Sequence, residues 1–204
     1  MSVEERIAAL AREYAANLQS RVDARVAEMK TDDNRHYMLY NALGVSNAEG
    51  EAIDVFQNKG RFLYKYAGSF VEEAAIVCFQ HRFADAKTVK IPNTVSPRPK
   101  QYEIDCLVNK KDAFEIKWRD ATTDGDHINK ERARMRAVSA AGFKPYRLMF
   151  FEPLRGQAIR IQKKLEMMYE SEGGEYYGGE PAWEFIQAYT GINLKAIISS
   201  LGTQ

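Results

Sequence analysis

The chain has 204 residues, is 45% hydrophobic and carries a formal net charge of +1, so it can bury a domain-sized core. No stretch approaches the roughly 18 apolar residues of a membrane span, and the opening Met-Ser-Val-Glu-Glu-Arg lacks the basic-then-apolar pattern of a secretion signal; a soluble, cytoplasmic protein is expected. Cys78 and Cys106, with no C-x-x-C or Cys/His cluster beside them, argue against a disulfide framework or a zinc site and read as buried free thiols. Near-neutral charge leaves the partner open, because affinity for phosphates depends on where Lys and Arg sit rather than on their total.

From Val3 to about Met29, apolar residues recur at helical spacing (Ile7, Leu10, Tyr14, Leu18, Val22, Val26) without Pro or Gly, which predicts a long amphipathic helix. A short helix is expected over 34–43, ended by Gly44, and Ser46 with Glu49 forms the capping box of a third, interrupted at Gly60. Residues 61–83 are apolar almost all round, as in a helix buried on most sides. Thr88 to Ile91 alternates like a strand, and the three prolines between Pro92 and Pro99 require a loop. Tyr102 to Val108 and Ala113 to Arg119 read as a hairpin turning at Asn109 to Asp112. A helix over 126–141, capped by Asp124 or Asp126 and closed by Gly142, leads to a buried strand at Pro145 to Phe151 and a helix at Leu154 to Tyr169. The four glycines between Gly173 and Gly179 read as a flexible connector before closing helices at Pro181 to Tyr189 and Leu194 to Leu201.

The chemistry concentrates in Tyr102-Glu-Ile-Asp105 and Phe114-Glu-Ile-Lys117. Residues two apart on a strand share a face, so Glu115 and Lys117 project together while Phe114, Ile116 and Trp118 point into the core. A hairpin centred on Lys110 sets Asp105 beside Glu115, with Cβ atoms about 5 Å apart. Two carboxylates that close repel unless a cation lies between them, and all-oxygen ligation is what Mg²⁺ prefers. Phosphodiester hydrolysis uses such a metal, together with a lysine that orients the attacking water and offsets developing negative charge.

Asp105, nine residues and then Glu115-Ile-Lys117 resembles the PD-(D/E)XK nuclease signature, with Ile104 where that family usually has Pro. The resemblance implies an α/β fold: a restriction-endonuclease-like αβββαβ core with a central mixed sheet, here at 61–151, plus flanking helices at 1–58 and 154–201, all in one nuclease domain. It implies Mg²⁺ held by Asp105 and Glu115, with Lys117 assisting the water. Gly68-x-x-x-Glu72 resembles the first-helix element that adds a carboxylate, making Glu72 the fourth site residue and third metal ligand, with Glu73 as the alternative. Within the superfamily, the short chain looks most like a type II restriction endonuclease, which implies double-stranded DNA as substrate, a homodimer and a cognate DNA methyltransferase. The stretch Lys117 to Lys130 resembles the ApaLI-like family.

Arg119, Asp120, Thr122 and Thr123, leaving the catalytic strand, offer mixed donors and acceptors for base edges and backbone; turn and capping chemistry is the plain alternative. Lys130 and Arg134, with Arg132 and Arg136, suit a helix that follows phosphates or a solvated charged face, and His127 reads as structural. Competing readings are a repair or junction-resolving nuclease of the same fold, and a non-catalytic DNA-binding or assembly protein in which Glu115 and Lys117 form only a surface ion pair. A Ser or Cys hydrolase finds no G-x-S-x-G elbow.

Overall fold

The computed structural model describes residues 1–119 and 126–202, with Asp126 and His127 described by backbone alone. Seven helices and five strands are seen among them: α1 (Val3–Met29), α2 (Tyr37–Ala42), α3 (Asn47–Arg82), β1 (Lys87–Pro92), β2 (Gln101–Val108), β3 (Asp112–Arg119), α4 (Asp126–Ala140), β4 (Lys144–Phe151), α5 (Gly156–Ser171), β5 (Glu175–Gly178), α6 (Glu180–Thr190) and α7 (Leu194–Leu201). They group into two compact units, one of residues 1–7 with 71–204 and the other of residues 8–70.

In the first unit the strands form one mixed sheet in the order β1-β2-β3-β4-β5. Pairing is antiparallel from β1 to β3 and parallel from β3 to β5. The C-terminal part of α3, then three strands, α4 and β4, give the expected αβββαβ order around a central mixed sheet. Alternation along β3 assigns its two faces. Phe114 stacks between Phe79 of α3 and Tyr146, with Phe185 and Tyr189 of α6 against the same ring. Helices α4 and α5 share a second cluster, built from Met135, Ile161, Leu165 and Tyr169. Cys78 and Cys106 are buried free thiols, and burial pushes each to about 12.

In the second unit, Ser46 and Glu49 form the expected capping box: the Ser46 amide donates to Glu49 Oε2 at 2.9 Å and the Glu49 amide donates to Ser46 Oγ at 3.3 Å. Gly60, however, does not interrupt the helix; α3 is continuous from Asn47 to Arg82. One interior glycine costs a helix only about 1 kcal/mol relative to alanine, which the strong helix formers on either side outweigh. Nor is the stretch 61–83 buried on most sides throughout. Val71, Ala74, Ala75, Cys78 and Phe79 are buried, but Leu63 and Tyr64 lie open.

The glycine-rich connector is also corrected: it contains β5, which continues the sheet beside β4. Gly174 admits this, since a Cβ there would lie 2.6 Å from the Pro145 carbonyl oxygen. The Lys144 ammonium pairs with Glu175 at the start of β5 and holds that carboxyl below its usual range.

Candidate active site

The hairpin obeys its expected register through Val108↔Asp112, Leu107↔Ala113 and Cys106↔Phe114, and the ladder stops one pair short of Asp105 and Glu115. On the other side of β2, pairing with β1 slips by one residue between Lys87↔Leu107 and Val89↔Ile104. As a result Leu107, Ile104 and Tyr102, which strict alternation would divide between faces, lie in one cluster with Ala137 and Val138 of α4. Such an irregularity re-aims a side chain beside a site. Here the Asp105 carboxylate turns inward and accepts the Ile116 amide hydrogen at 2.7 Å. In place of the expected pairing with Glu115, Asp105 thus bonds through its side chain to the backbone of β3.

Asp105 and Glu115 are 8% and 6% exposed in a protein whose surface is otherwise rich in charge. The Lys117 ammonium lies 2.5 Å from Glu115 Oε1, 3.6 Å from Asp105 Oδ2 and 3.1 Å from the Ile116 carbonyl oxygen. Three oxygens thus gather on one cation. Arg134 of α4 donates to Glu115 Oε2 and its guanidinium lies 6.0 Å from the centre of the Tyr102 ring. Glu72, half-buried on α3, is raised to about 7, chiefly by burial and then by the nearby Asp105 charge, with Lys117 opposing. Glu73 is exposed.

Beneath α4 lies a polar support that sequence reasoning missed. Arg147 of β4, fully buried and in register with Glu115, pairs with Glu131 of α4 at 2.9 Å. The Tyr169 hydroxyl also donates to Glu131, at 2.7 Å, and burial beside that carboxylate raises the phenol well above its usual range. These bonds fix α4 over the sheet and so place Arg134 on Glu115. The available signal was a lone arginine inside the apolar run Tyr146-Arg-Leu-Met-Phe-Phe.

Glu115 and Lys117 open onto a groove of about 750 Å³. One wall is Arg98 and Pro99 of the β1–β2 loop, the other is Lys130 and Arg134 of α4, and Tyr102 and Glu103 lie between. The loop is organised by Asn93, whose side chain bonds the Val95 and Ser96 amides and the Pro99 carbonyl. Arg98 was not anticipated. Arg119 lies elsewhere: it is exposed at the end of β3, 5.5 Å from the Trp118 ring, and lines a separate depression with Phe151 and Arg155. Asp120, Thr122 and Thr123 lie outside the described residues, as does the His127 side chain.

The sequence model of the ApaLI-like restriction endonucleases matches residues 1–202. The chain belongs to that family. No curated protein and no solved structure matched it. As an ApaLI-like restriction endonuclease it is a DNA-binding nuclease, and so a hydrolase of restriction systems. The family implies a divalent metal. Among the described residues no group of three or more His, Cys, Asp or Glu side chains is gathered to hold one. The oxygens of Asp105, Glu115 and Ile116 around the Lys117 ammonium nevertheless form a hard oxygen donor set of the kind that fits such an ion. No helix among the described residues is long and apolar enough to cross a membrane.

Proposed function

We propose that this ApaLI-like restriction endonuclease makes Mg²⁺-dependent, sequence-specific double-strand cuts in DNA, with Asp105, Glu115 and Lys117 as its catalytic residues. The observation that supports this is the meeting of buried Asp105 and Glu115 with the Lys117 ammonium, where Glu115 and Lys117 line a groove whose two walls both carry cations. Asp105 and Glu115 would hold the metal, joined by Glu72, whose carboxyl is raised by burial and then by the Asp105 charge. Bound there, Mg²⁺ would neutralise phosphate charge and make water a stronger nucleophile.

The chain's own residues do the rest. Lys117 points the attacking water at phosphorus and offsets the negative charge that grows on the phosphoryl oxygens as the water oxygen bonds to phosphorus, water's proton passes to solvent, and the ester P–O bond breaks to leave a strand end that takes up a proton. Burial of Asp105 and Glu115 strengthens every charge interaction at that point. Arg98 and Lys130 hold the flanking phosphates from opposite walls, and Arg134 shifts between Glu115 and the bound strand. Arg119, Asp120, Thr122 and Thr123 contact bases or backbone beyond the catalytic strand. Both compact units belong to one cytoplasmic nuclease that works as a homodimer, beside a methyltransferase that protects the host sites.

The test is incubation of purified chain with long unmethylated duplex DNA, with Mg²⁺ and separately with a chelator, followed by gel analysis. Discrete bands that require metal are expected, and their mapped ends give site and stagger. A metal-dependent smear would favour a repair nuclease instead, and DNA left intact on several substrates a non-catalytic binder.

A further inference from the structure

Each oxygen of the Glu115 carboxylate already holds a cation of the chain's own: Lys117 pairs with Oε1 at 2.5 Å and Arg134 donates to Oε2. The two cations are tied down differently. Lys117 stands on the same strand as Glu115 and meets three oxygens, those of Glu115, Asp105 and Ile116. Arg134 reaches across from α4 to Glu115 alone, lines the groove, and has the Tyr102 ring 6.0 Å from its guanidinium as a second seat. Its helix does not follow it. Glu131, three residues earlier on the same face of α4, is buried and bound by Arg147 and Tyr169, so the backbone is anchored and the Arg134 side chain is the part that can swing.

A divalent ion that uses Glu115 therefore competes with Arg134 for Oε2. Glu115 is 6% exposed, and a carboxylate so buried loses several kcal/mol if its partner departs and nothing replaces it. An ion that expels Arg134 in turn drives a guanidinium into a groove already lined by Arg98 and Lys130. A phosphodiester removes both obstacles. A guanidinium forks onto phosphate oxygens as it does onto a carboxylate, so Arg134 can exchange Glu115 for a strand in the groove and free Oε2 for the ion. All the charges stay paired only when the ion and the strand arrive together.

We infer that Arg134 is a latch on the metal site, held on Glu115 until a DNA phosphate takes it over, so that divalent metal and DNA bind cooperatively. The inference rests on the reading of Asp105 and Glu115 as metal ligands. Mn²⁺ binding to the full chain is followed by electron paramagnetic resonance of the free ion, without DNA and with a short duplex that a gel shows to stay intact. Wild type should bind the ion weakly alone and about tenfold more tightly with duplex, within the span usual for coupled sites. Arg134→Gln, checked for folding by circular dichroism, should bind it about tenfold more tightly without DNA and gain less from duplex. Arg98→Ala removes a cation from the opposite wall and should change the DNA-free affinity less than about twofold, its charge acting only across solvent. An Arg134→Gln variant no tighter than wild type, a wild-type affinity that duplex leaves unchanged, or equal tightening by Arg98→Ala would each overturn the inference. Glu115→Gln separates the two levels: loss of the ion there beside an unresponsive Arg134→Gln removes the latch alone, whereas binding as in wild type takes the ion off Glu115 and overturns the metal-ligand reading with it.

Discussion

Replacing Glu72 by Gln should stabilise the metal-free protein at pH 8 and leave it unchanged near pH 4. Burial and the Asp105 charge raise the Glu72 carboxyl from 4.5 to about 7. The folded protein therefore keeps a proton that the unfolded chain releases between those values, and stability must fall as pH rises through that window. At about 1.4 kcal/mol for each tenfold change in proton affinity, the interval corresponds to at most about 3 kcal/mol by pH 8, with part of it removed by the solvent that reaches this half-buried group. Glutamine has no charge to bury and escapes the loss. The assay is urea denaturation of wild type and Glu72→Gln at several pH values with a chelator, then with Mg²⁺. A gain of about 1–3 kcal/mol at pH 8 is expected, vanishing in acid. Added Mg²⁺ should narrow it by stabilising the ionised wild-type carboxylate. An equal gain at every pH, or none at pH 8, would refute the placement of Glu72 beside Asp105.

Arg98→Ala should weaken binding to duplex DNA in the presence of a chelator and lower the salt dependence by about one counterion, as expected for one lost phosphate contact; fluorescence anisotropy over a range of salt checks both. Gly174→Ala should cost about 1–3 kcal/mol, because the new methyl meets the Pro145 carbonyl and must push β5 from β4. Thermal unfolding measures it, and an unchanged midpoint would place β5 elsewhere.

Much of the fold was legible because its periods are clean. The 3.6-residue repeat of α1 and the two-residue alternation around Glu115 and Lys117 each point to one structure. Strand β5 was not legible, since four residues among glycines carry no period, and their pairing comes from the neighbouring strand and from Lys144 with Glu175. Gly60 misled for the opposite reason: local propensity names a break that the surrounding helix overrides. At the site, the spacing of Asp105, Glu115 and Lys117 pointed to three charges on one patch, and the structure brings them together. The bond from the Ile116 amide to the Asp105 carboxylate was not legible, because it depends on where the strand pairing ends. Arg98, Glu131 and Arg147 are distant in sequence from the motif and join it only through the fold.

In the proposed reaction Lys117, between Asp105 and Glu115, is needed for cleavage and not for binding. Lys117→Ala and wild type should be compared on the same duplex DNA, with cleavage followed in Mg²⁺ and binding in chelator. Lost cleavage with near-normal binding is predicted. Cleavage that persists in Lys117→Ala would exclude Lys117 as a catalytic residue.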